Sequence, residues 1–260
     1  MIKALYTCAT GMKAQQLYVD NIANNLANVN TVGFKRSQVN FQDLLYDTDI
    51  SAGADSAQGF QIPSGLQVGG GVRAVSTSKV FSQGTPQNTN RPLDIAIQGD
   101  GFFQITRPDG TIVYSRDGAF QLNSQGEVVT SDGLRLTPSI TIQNAVAITI
   151  GTDGTVNVQT TDGSFQSVGQ MTLVTFANPA GLESLGRNLY HETPASGPPT
   201  VVTPGQQGAG EILQGFLERS NVEVVTELVD LIMAQRAYEI NSRAIRASDE
   251  MLATANQISK

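Results

Sequence analysis

Two helical patterns at opposite ends of the chain constrain its fold more than any other feature of the sequence. In the N-terminal pattern, positions recur at alternating spacings of three and four residues: Leu5, Cys8, Met12, Gln15, Val19, Ile22, Leu26 and Val29. In the C-terminal pattern, apolar residues recur every seven positions at Val224, Leu231, Tyr238, Ile245 and Leu252. Leu228 and Gln235 lie between the first members of this repeat. Such spacing places side chains in one narrow seam along a helix, which is the geometry of coiled-coil packing. Seams separated by almost the whole chain can be buried only against each other or against other copies, so the sequence predicts assembly.

The composition disfavours several functional classes. The 260 residues carry a formal net charge of −7, and the chain has no lysine between Lys79 and Lys260. Nucleic-acid binding requires clustered Lys and Arg opposite the phosphates, so this function is not expected. The length suffices for one large domain or two ordinary ones with a proper core. The single cysteine, Cys8, excludes an intramolecular disulfide and a multi-cysteine metal site, and we interpret it as a small buried hydrophobe.

The N-terminal pattern does not resemble a secretion signal. Only seven residues precede Cys8, too few for a charged start followed by an apolar signal core and a lipidated cysteine. Lys13 and Asp20 interrupt the N-terminal helix, so no run approaches the roughly 20 apolar residues of a membrane span. We therefore expect the chain to stay in the cytoplasm or to leave by a route that reads no cleaved signal.

A stripe of amide side chains lies beside the N-terminal seam. Its members recur at helical spacing and are Asn21, Asn24, Asn25 and Asn28. Asn is a mediocre helix former, so the stripe lowers the helical propensity of this stretch. One interpretation is a solvated polar face. The other is a subunit contact in which the amides fix the register of the helices, as a polar residue does in a coiled coil.

Composition divides the chain into five segments. They are an N-terminal helix over 1–36, an extended or loop segment over 37–72, a β-rich domain over 73–193, a linker over 194–220 and a C-terminal helix over 221–260. Gly and Ser mark 47–72 as a flexible surface loop, and Gly33 offers a left-handed stop after the first helix. The β-rich domain is predicted from short runs of Val, Ile, Thr and Phe between six Asp-Gly pairs, a dipeptide typical of tight hairpin turns. The pairs begin at Asp100, Asp109, Asp117, Asp132, Asp153 and Asp162.

The C-terminal helix has a clear predicted start. Ser220 and Glu223 match the S-x-x-E capping box, and no Gly or Pro interrupts the helix up to about residue 258. Residues 1–36 carry a net charge of +3 and residues 221–260 a net charge of −2. Opposite signs favour pairing of the two ends, although exposed ion pairs contribute only about 0–1 kcal/mol each. We expect the apolar seams to provide most of the pairing energy.

The sequence offers no persuasive catalytic, cofactor or metal site. His191 is the only histidine, so a multi-histidine metal site is impossible and a structural histidine is the preferred interpretation. Ser76 and Lys79 match S-x-x-K, but the S-D-N and K-T-G motifs that accompany it in acyl-transfer enzymes are missing. Carboxylate pairs for glycoside hydrolysis stay open as an alternative, because acids far apart in sequence can meet in space.

Five stretches in three regions of the chain resemble the signatures of bacterial flagellar axial proteins, the family of rod, hook and hook-filament subunits. At the N-terminal end it is ANNLANVNTVGFKR (Ala23 to Arg36). In the β-rich region they are LDIAIQGDGFFQI (Leu93 to Ile105) and YSRDGAFQLNSQGEVVTSDGLRL (Tyr114 to Leu136). At the C-terminal end they are LQGFLERSNV (Leu213 to Val222) and LVDLIMAQRAYEINSRAI (Leu228 to Ile245). Within the family, IPSGLQVGGGVR (Ile62 to Arg73) is most similar to the distal-rod members. Glu223 departs from the family, in which Asn or Asp often stands there.

The resemblance implies a mainly β central domain with long N- and C-terminal helices that pair as a coiled coil lining a tube. It also implies a structural subunit of the distal rod that polymerises helically, contacts proximal rod, hook and outer ring proteins, and leaves the cell through the flagellar type III apparatus. The segment at 47–72 would then pack against neighbouring subunits. On this basis the two seams and the Asn stripe are the expected self-assembly interface. The alternatives are a proximal rod or hook-type subunit, or a secreted β-rich enzyme.

Overall fold

The computed structural model describes residues 2–53, 55–57, 60–61, 63–143, 145–160 and 163–258. The chain divides into two units, each built from segments that are distant in sequence. Unit 1 consists of Met1–Leu26, Ser37–Ser78 and Val224–Lys260, and unit 2 consists of Ala27–Arg36 and Lys79–Glu223. The predicted mainly β central region with a helix at each end is confirmed.

Unit 1 contains the two long helices. Helix α1 runs over Ile2–Ala27, and a turn follows it in which the Thr31 N–H donates to Asn28 O at 3.2 Å. Helix α2 runs over Val224–Ile258, close to the predicted end but three residues after the predicted start. The predicted capping box is therefore wrong, because Ser220 lies outside the helix and its Oγ accepts from the Val222 N–H at 3.3 Å instead.

The strands of unit 1 pair as antiparallel ladders. They are β1 (Ser37–Asp43), β2 (Tyr46–Ile50), β3 (Asp55–Ala57), β4 (Phe60–Gln61), β5 (Leu66–Gly69) and β6 (Val72–Lys79, whose last residue belongs to unit 2). Strand β1 pairs with β6, β2 with β5 and β3 with β4. The structure thus differs from the flexible loop expected over 47–72. Every residue of β2 is exposed, so this strand lacks the alternation of buried and exposed positions by which a sequence reveals a strand.

Unit 2 contains the remaining strands. In chain order they are β7 (Pro86–Asn88), β8 (Ile95–Gln98), β9 (Phe102–Thr106), β10 (Ile112–Ser115), β11 (Phe120–Leu122), β12 (Val128–Thr130), β13 (Arg135–Thr137), β14 (Ala145–Ile150), β15 (Thr155–Thr160), β16 (Phe165–Gln170), β17 (Leu173–Thr175), β18 (Glu183–Gly186), β19 (Leu189–His191), β20 (Thr200–Val202), β21 (Glu211–Gln214) and β22 (Phe216–Glu218). A short 3-10 helix covers Pro179–Gly181.

The strands of unit 2 surround one large apolar cluster and two smaller ones. A nine-stranded sheet has the order β11-β12-β13-β9-β10-β19-β18, with β17 paired to β9 and β20 paired to β17. Strands β14, β15 and β16 form a second sheet. The two sheets and strand β8 contribute fully buried side chains to one cluster, among them Ile97, Phe103, Val156 and Leu173. Burial of these side chains supplies the main stabilisation of unit 2.

The Asp-Gly pairs form hairpin tips at only some of the predicted places. The glycines after Asp109, Asp132 and Asp153 have positive φ between consecutive strands, and Asp109 Oδ1 accepts from the Thr111 N–H at 2.9 Å. Asp117 and Gly118 make a close approach instead, because a Cβ on Gly118 would lie 1.6 Å from Ile95 O. The pair at Asp162 lies partly outside the described residues.

The segment predicted as a linker over 194–220 is part of the structure of unit 2. Strand β20 pairs with β17, β21 with β8 and β22 with β7. Val202 and Ile212 from this segment are buried in the core cluster. Pro and Gly dominate the composition of the segment, so its short strands carry too few apolar residues to be recognised without their partners.

A buried cluster of charges joins the two ends of unit 2. Lys35 Nζ lies 2.6 Å from Glu218 Oε1 and donates to Ser82 O at 2.8 Å, and Arg116 Nη1 lies 3.4 Å from Glu218 Oε2. The three side chains are at most 2% exposed. Burial lowers the pKa of Lys35 and of Arg116, and the Glu218 carboxylate opposes this effect at both groups. Glu218 therefore offsets part of the cost of burying these two side chains.

Candidate assembly interface

Helix α2 has one face that is covered within unit 1. The covered positions recur at spacings of three, four and seven residues and are buried or half-buried: Glu227, Leu231, Ala234, Asn241, Ile245, Ser248 and Leu252. We call this the packed face of α2. Ala234 and Ser248 are small, which lets a neighbouring element approach the helix closely. The packed face is therefore a close-contact face within the subunit.

The opposite side of α2 carries apolar residues that solvent can reach. They are between 41 and 70% exposed and are Val225, Leu228, Val229, Ile232, Met233 and Ile240. We call them the exposed apolar stripe. At about 3.6 residues per turn, their spacings of one, three and four residues keep them on one side of the helix. A contiguous apolar surface of this kind marks an interaction site.

The predicted C-terminal seam is divided between these two surfaces. Leu231, Ile245 and Leu252 are half-buried on the packed face, whereas Val224, Leu228 and Tyr238 are 39 to 45% exposed. A strict seven-residue repeat drifts by about 20° per repeat around an α-helix. Over the length of α2, the repeat therefore passes from the edge of the packed face to its centre.

The exposed apolar stripe was not among the surfaces predicted from the sequence. The signal was present, because the first ten residues of α2 read VVTELVDLIM and place apolar side chains on nearly every side of the helix. A helix that is apolar on all sides needs more than one covering surface. The seven-residue repeat describes only one seam, so it does not reveal the second apolar surface of α2.

Most residues of the predicted N-terminal seam are covered within unit 1. Ile22 is buried, and Leu5, Cys8, Met12, Val19 and Leu26 are half-buried. The exposed side of α1 presents the large side chains Tyr6 and Leu17. Lys3 near its start forms an exposed ion pair with Asp47 of β2, which raises the pKa of Lys3 and lowers that of Asp47. The first turns of α1 are thus attached to the β2–β5 ladder.

The members of the Asn stripe occupy different environments. Asn24 is exposed, whereas Asn21 and Asn28 are half-buried and Asn25 is only 1% exposed. Asn21 Nδ2 and Asn25 Nδ2 both donate to Ser37 O, at 2.8 and 2.9 Å. Ser37 N–H donates back to Asn25 Oδ1 at 2.9 Å. Two of the four amides therefore hold the start of β1 inside the same subunit.

Two contacts relate α1 and α2. Asn25 Nδ2 donates to the Glu227 carboxylate at 3.3 and 3.4 Å. A Cβ on Gly11 would lie 3.0 Å from Asn241 Nδ2, so the Asn241 side chain covers Gly11. From the first contact to the second, the residue number falls by 14 on α1, from Asn25 to Gly11, and rises by 14 on α2, from Glu227 to Asn241. The helices therefore lie antiparallel in one alignment at both contacts.

The described residues contain no cluster of three or more His, Cys, Asp or Glu side chains with the geometry to hold a metal ion. His191 is half-buried at the end of β19. Among the helices that the structure describes, neither is long and apolar enough to cross a membrane.

Comparisons with known proteins identify the same regions. Three family profiles match: a flagella basal body rod protein profile over residues 5–35, a flagellar hook protein FlgE/F/G D1 domain profile over 96–158, and a flagellar basal body rod FlgEFG protein C-terminal profile over 213–258. The flagellar basal-body rod protein FlgG of Buchnera aphidicola subsp. Schizaphis graminum is 51% identical, over 99% of this chain and 100% of the relative. The chain belongs to the flagellar basal-body rod protein family.

Other members of the rod family match at similar length. The FlgG proteins of Caulobacter vibrioides and Borreliella burgdorferi are 51 and 47% identical, and the matches cover 99 to 100% of each chain. The first rod-family profile contains most of α1 with the turn up to Lys35, and the last contains the last two residues of β21 together with β22 and α2. The helices and the charge cluster thus lie in the segments that define the family.

Proposed function

We propose that this chain is a structural subunit of the bacterial flagellar distal rod that polymerises helically into a hollow drive shaft, which transmits torque from the motor to the hook. The observation that carries the proposal is that α2 has a packed face on one side and an exposed apolar stripe on the other. A monomer that covers one of them and leaves the other exposed is suited to contact a further copy. The rod-protein names of the relatives at 47 to 51% identity support the same function.

In this proposal α1 and α2 pair as a coiled coil that lines the tube. The antiparallel contacts of Asn25 with Glu227 and of Gly11 with Asn241 support pairing within one subunit. The half-buried positions of the N-terminal seam would pack against the packed face of α2. Coiled-coil packing needs this recurrence of three and four residues on both helices.

The exposed apolar stripe would contact the helices of a neighbouring copy. A head-to-tail contact between different surfaces generates an open helical polymer when the rotation does not close into a ring. Leu228 belongs to this stripe. The other exposed seam residues, Val224 and Tyr238, offer further contact surface, as does Asn24. The exposed strands β2 and β5 offer further surface to neighbours along the polymer.

The proposed partners follow from the position of a distal rod in the flagellar basal body. They are further copies of the same chain, the proximal rod and hook proteins at the two ends, and outer ring proteins around it. Export through the flagellar type III apparatus belongs to the same proposal. No cofactor and no catalytic residue has a role in it.

The test introduces one charge into the exposed apolar stripe. Val225→Asp places a carboxylate in the first turn of α2, where it favours the helix, so a loss of assembly cannot result from a weaker helix. Val146→Asp is the matched control, because this valine of unit 2 is 66% exposed and Val225 is 70% exposed. Each protein is concentrated, sedimented and imaged by electron microscopy, with isolated basal bodies as seeds in a parallel sample.

We expect straight tubes from the unmodified chain and from Val146→Asp, and a loss of sedimenting polymer of at least tenfold for Val225→Asp. Curved tubes would indicate a hook-type subunit. Equal assembly of both variants would refute the proposed interface. Compact particles from the unmodified chain, even with seeds, would refute the rod function itself.

A further inference from the structure

The side chain of Asn25 uses both its amide group and its oxygen in hydrogen bonds. Its amide group donates to Ser37 O at 2.9 Å and to Glu227 at 3.3 and 3.4 Å, and its oxygen accepts from the Ser37 N–H at 2.9 Å. Asn25 is 1% exposed and Glu227 is 3% exposed. One side chain thus joins the end of α1, the start of β1 and the first turn of α2 at a place that water does not reach.

The apolar positions of the two helices do not by themselves select one alignment. Both patterns repeat after seven residues, so a slip of one repeat brings apolar side chains opposite apolar side chains again. The polar contact between Asn25 and Glu227, in contrast, does not repeat after seven residues. A slip of seven residues along α2 in one direction would move Ala234 to the place that Glu227 holds opposite Asn25. A slip in the other direction would leave no residue of α2 there, because position 220 lies before the start of the helix. Either slip leaves the amide and the carboxylate buried without each other, which is a large penalty for such groups.

We propose that the Asn25–Glu227 pair sets the register of α1 against α2 and makes the observed alignment the only stable one. The inference rests on the helix pairing of the proposed function and adds the residues that specify it. A buried polar pair in an otherwise apolar helix interface acts in this way through the alternatives that it excludes. Its contribution to stability itself is secondary.

The register matters because it positions the exposed apolar stripe. A slip of seven residues would displace the stripe along α1 by about 10 Å, since an α-helix rises about 1.5 Å per residue. A helical polymer repeats one contact many times, so a mixture of registers would give subunits whose contact surfaces do not match. The pair therefore determines which surface each subunit presents to the next.

The experiment measures register by disulfide cross-linking in the full chain, with Cys8→Ser as background. Gly11→Cys is combined with Asn241→Cys for the observed register, or with Ala234→Cys or Ser248→Cys for the two slipped ones. Intrachain cross-links are quantified by mass spectrometry in dilute protein, where monomers predominate. The decisive variant is Asn25→Leu/Glu227→Leu, which replaces the polar pair by apolar side chains, and Asn24→Leu is the control at an exposed position of the same stretch.

With the pair intact and in Asn24→Leu, we expect the cross-link to position 241 to dominate. In the double leucine variant, its excess over the slipped cross-links should fall at least about tenfold, because no buried polar pair then distinguishes the registers. Glu227→Gln should keep the observed register, because its amide oxygen still accepts from Asn25. An unchanged cross-link pattern in the double variant, or a loss of register in Glu227→Gln, would overturn the proposal. Because the assay uses monomers, its result is independent of whether tubes form.

Discussion

Replacing Glu218 by Gln isolates the role of the buried charge cluster of unit 2. The change keeps the size of the side chain, and an amide oxygen can still accept from Lys35 Nζ and from the Gly84 N–H, which now lie 2.6 and 2.9 Å from Oε1. It removes the negative charge between two cations. On the other side, an amide NH₂ group or a neutral oxygen would face Arg116 Nη1, now 3.4 Å from Oε2.

The expected loss is large because the cluster is shielded from water. Lys35, Arg116 and Glu218 are at most 2% exposed, so solvent cannot compensate the lost charge. Removal of one partner from a buried ion pair destabilises a protein by about 3–5 kcal/mol. A typical domain has a free energy of unfolding of about 5–15 kcal/mol, so the variant should lose a substantial part of it.

Hydrogen exchange of the full chain measures this effect in unit 2 alone. Amides of β9 lie at the centre of the sheet, and their opening free energy should fall by the amount given above. Glu211→Gln is the matched control, since it makes the same chemical change at an exposed position of β21 and should alter stability by less than about 0.5 kcal/mol.

A double-mutant cycle tests the electrostatic reasoning itself. Lys35→Met removes one of the two cations and keeps an unbranched apolar side chain of similar length. In combination with Glu218→Gln, it should recover at least about 1 kcal/mol relative to the sum of the single effects. If the two changes are additive within about 0.5 kcal/mol, the cations do not depend on Glu218 and the argument is refuted.

Two further predictions concern unit 2. Burial raises the pKa of Tyr190 to about 12 from its usual 10, so Tyr190 ionises at lower pH in the unfolded state than in the folded state. The free energy of unfolding should therefore fall by up to about 1.4 kcal/mol per pH unit between pH 10 and pH 12, and it should not change through this group at lower pH. Tyr190→Phe should remove this part of the alkaline destabilisation in urea titrations at a series of pH values, and an unchanged pH dependence would contradict it. Gly33→Ala should lower the thermal midpoint more than Gly110→Ala does, because both glycines have positive φ but only a Cβ at Gly33 would lie 2.8 Å from the Arg116 backbone carbon. Equal midpoints would show that the backbone conformation alone, and not the close approach, requires glycine at position 33.

The elements that the sequence predicted correctly are those with local causes. The two helices follow from apolar residues at helical spacing, and α2 also follows from the absence of Gly and Pro up to Ile258. The hairpins after Asp109, Asp132 and Asp153 follow from a dipeptide whose glycine accepts positive φ. In each case the information lies within a few residues of the structure that it specifies.

The environment of individual residues required the tertiary structure. Asn24 and Asn25 are adjacent and chemically identical, yet one is exposed and the other is buried between Ser37 and Glu227. Lys35 looks like an ordinary surface lysine in the sequence, but an acid 183 residues away neutralises it in the interior. The segment over 194–220 resembled a linker for a related reason, because its short strands pair with strands that are distant in sequence.

The sequence by itself therefore determined the family of this chain, its helices and three of its Asp-Gly hairpin turns. The tertiary structure decided which side of α2 is covered, which amide is buried and which strands complete the core of unit 2. The physical reason is that helix and turn formation depend on neighbours along the chain. Burial depends on segments that only the fold brings together.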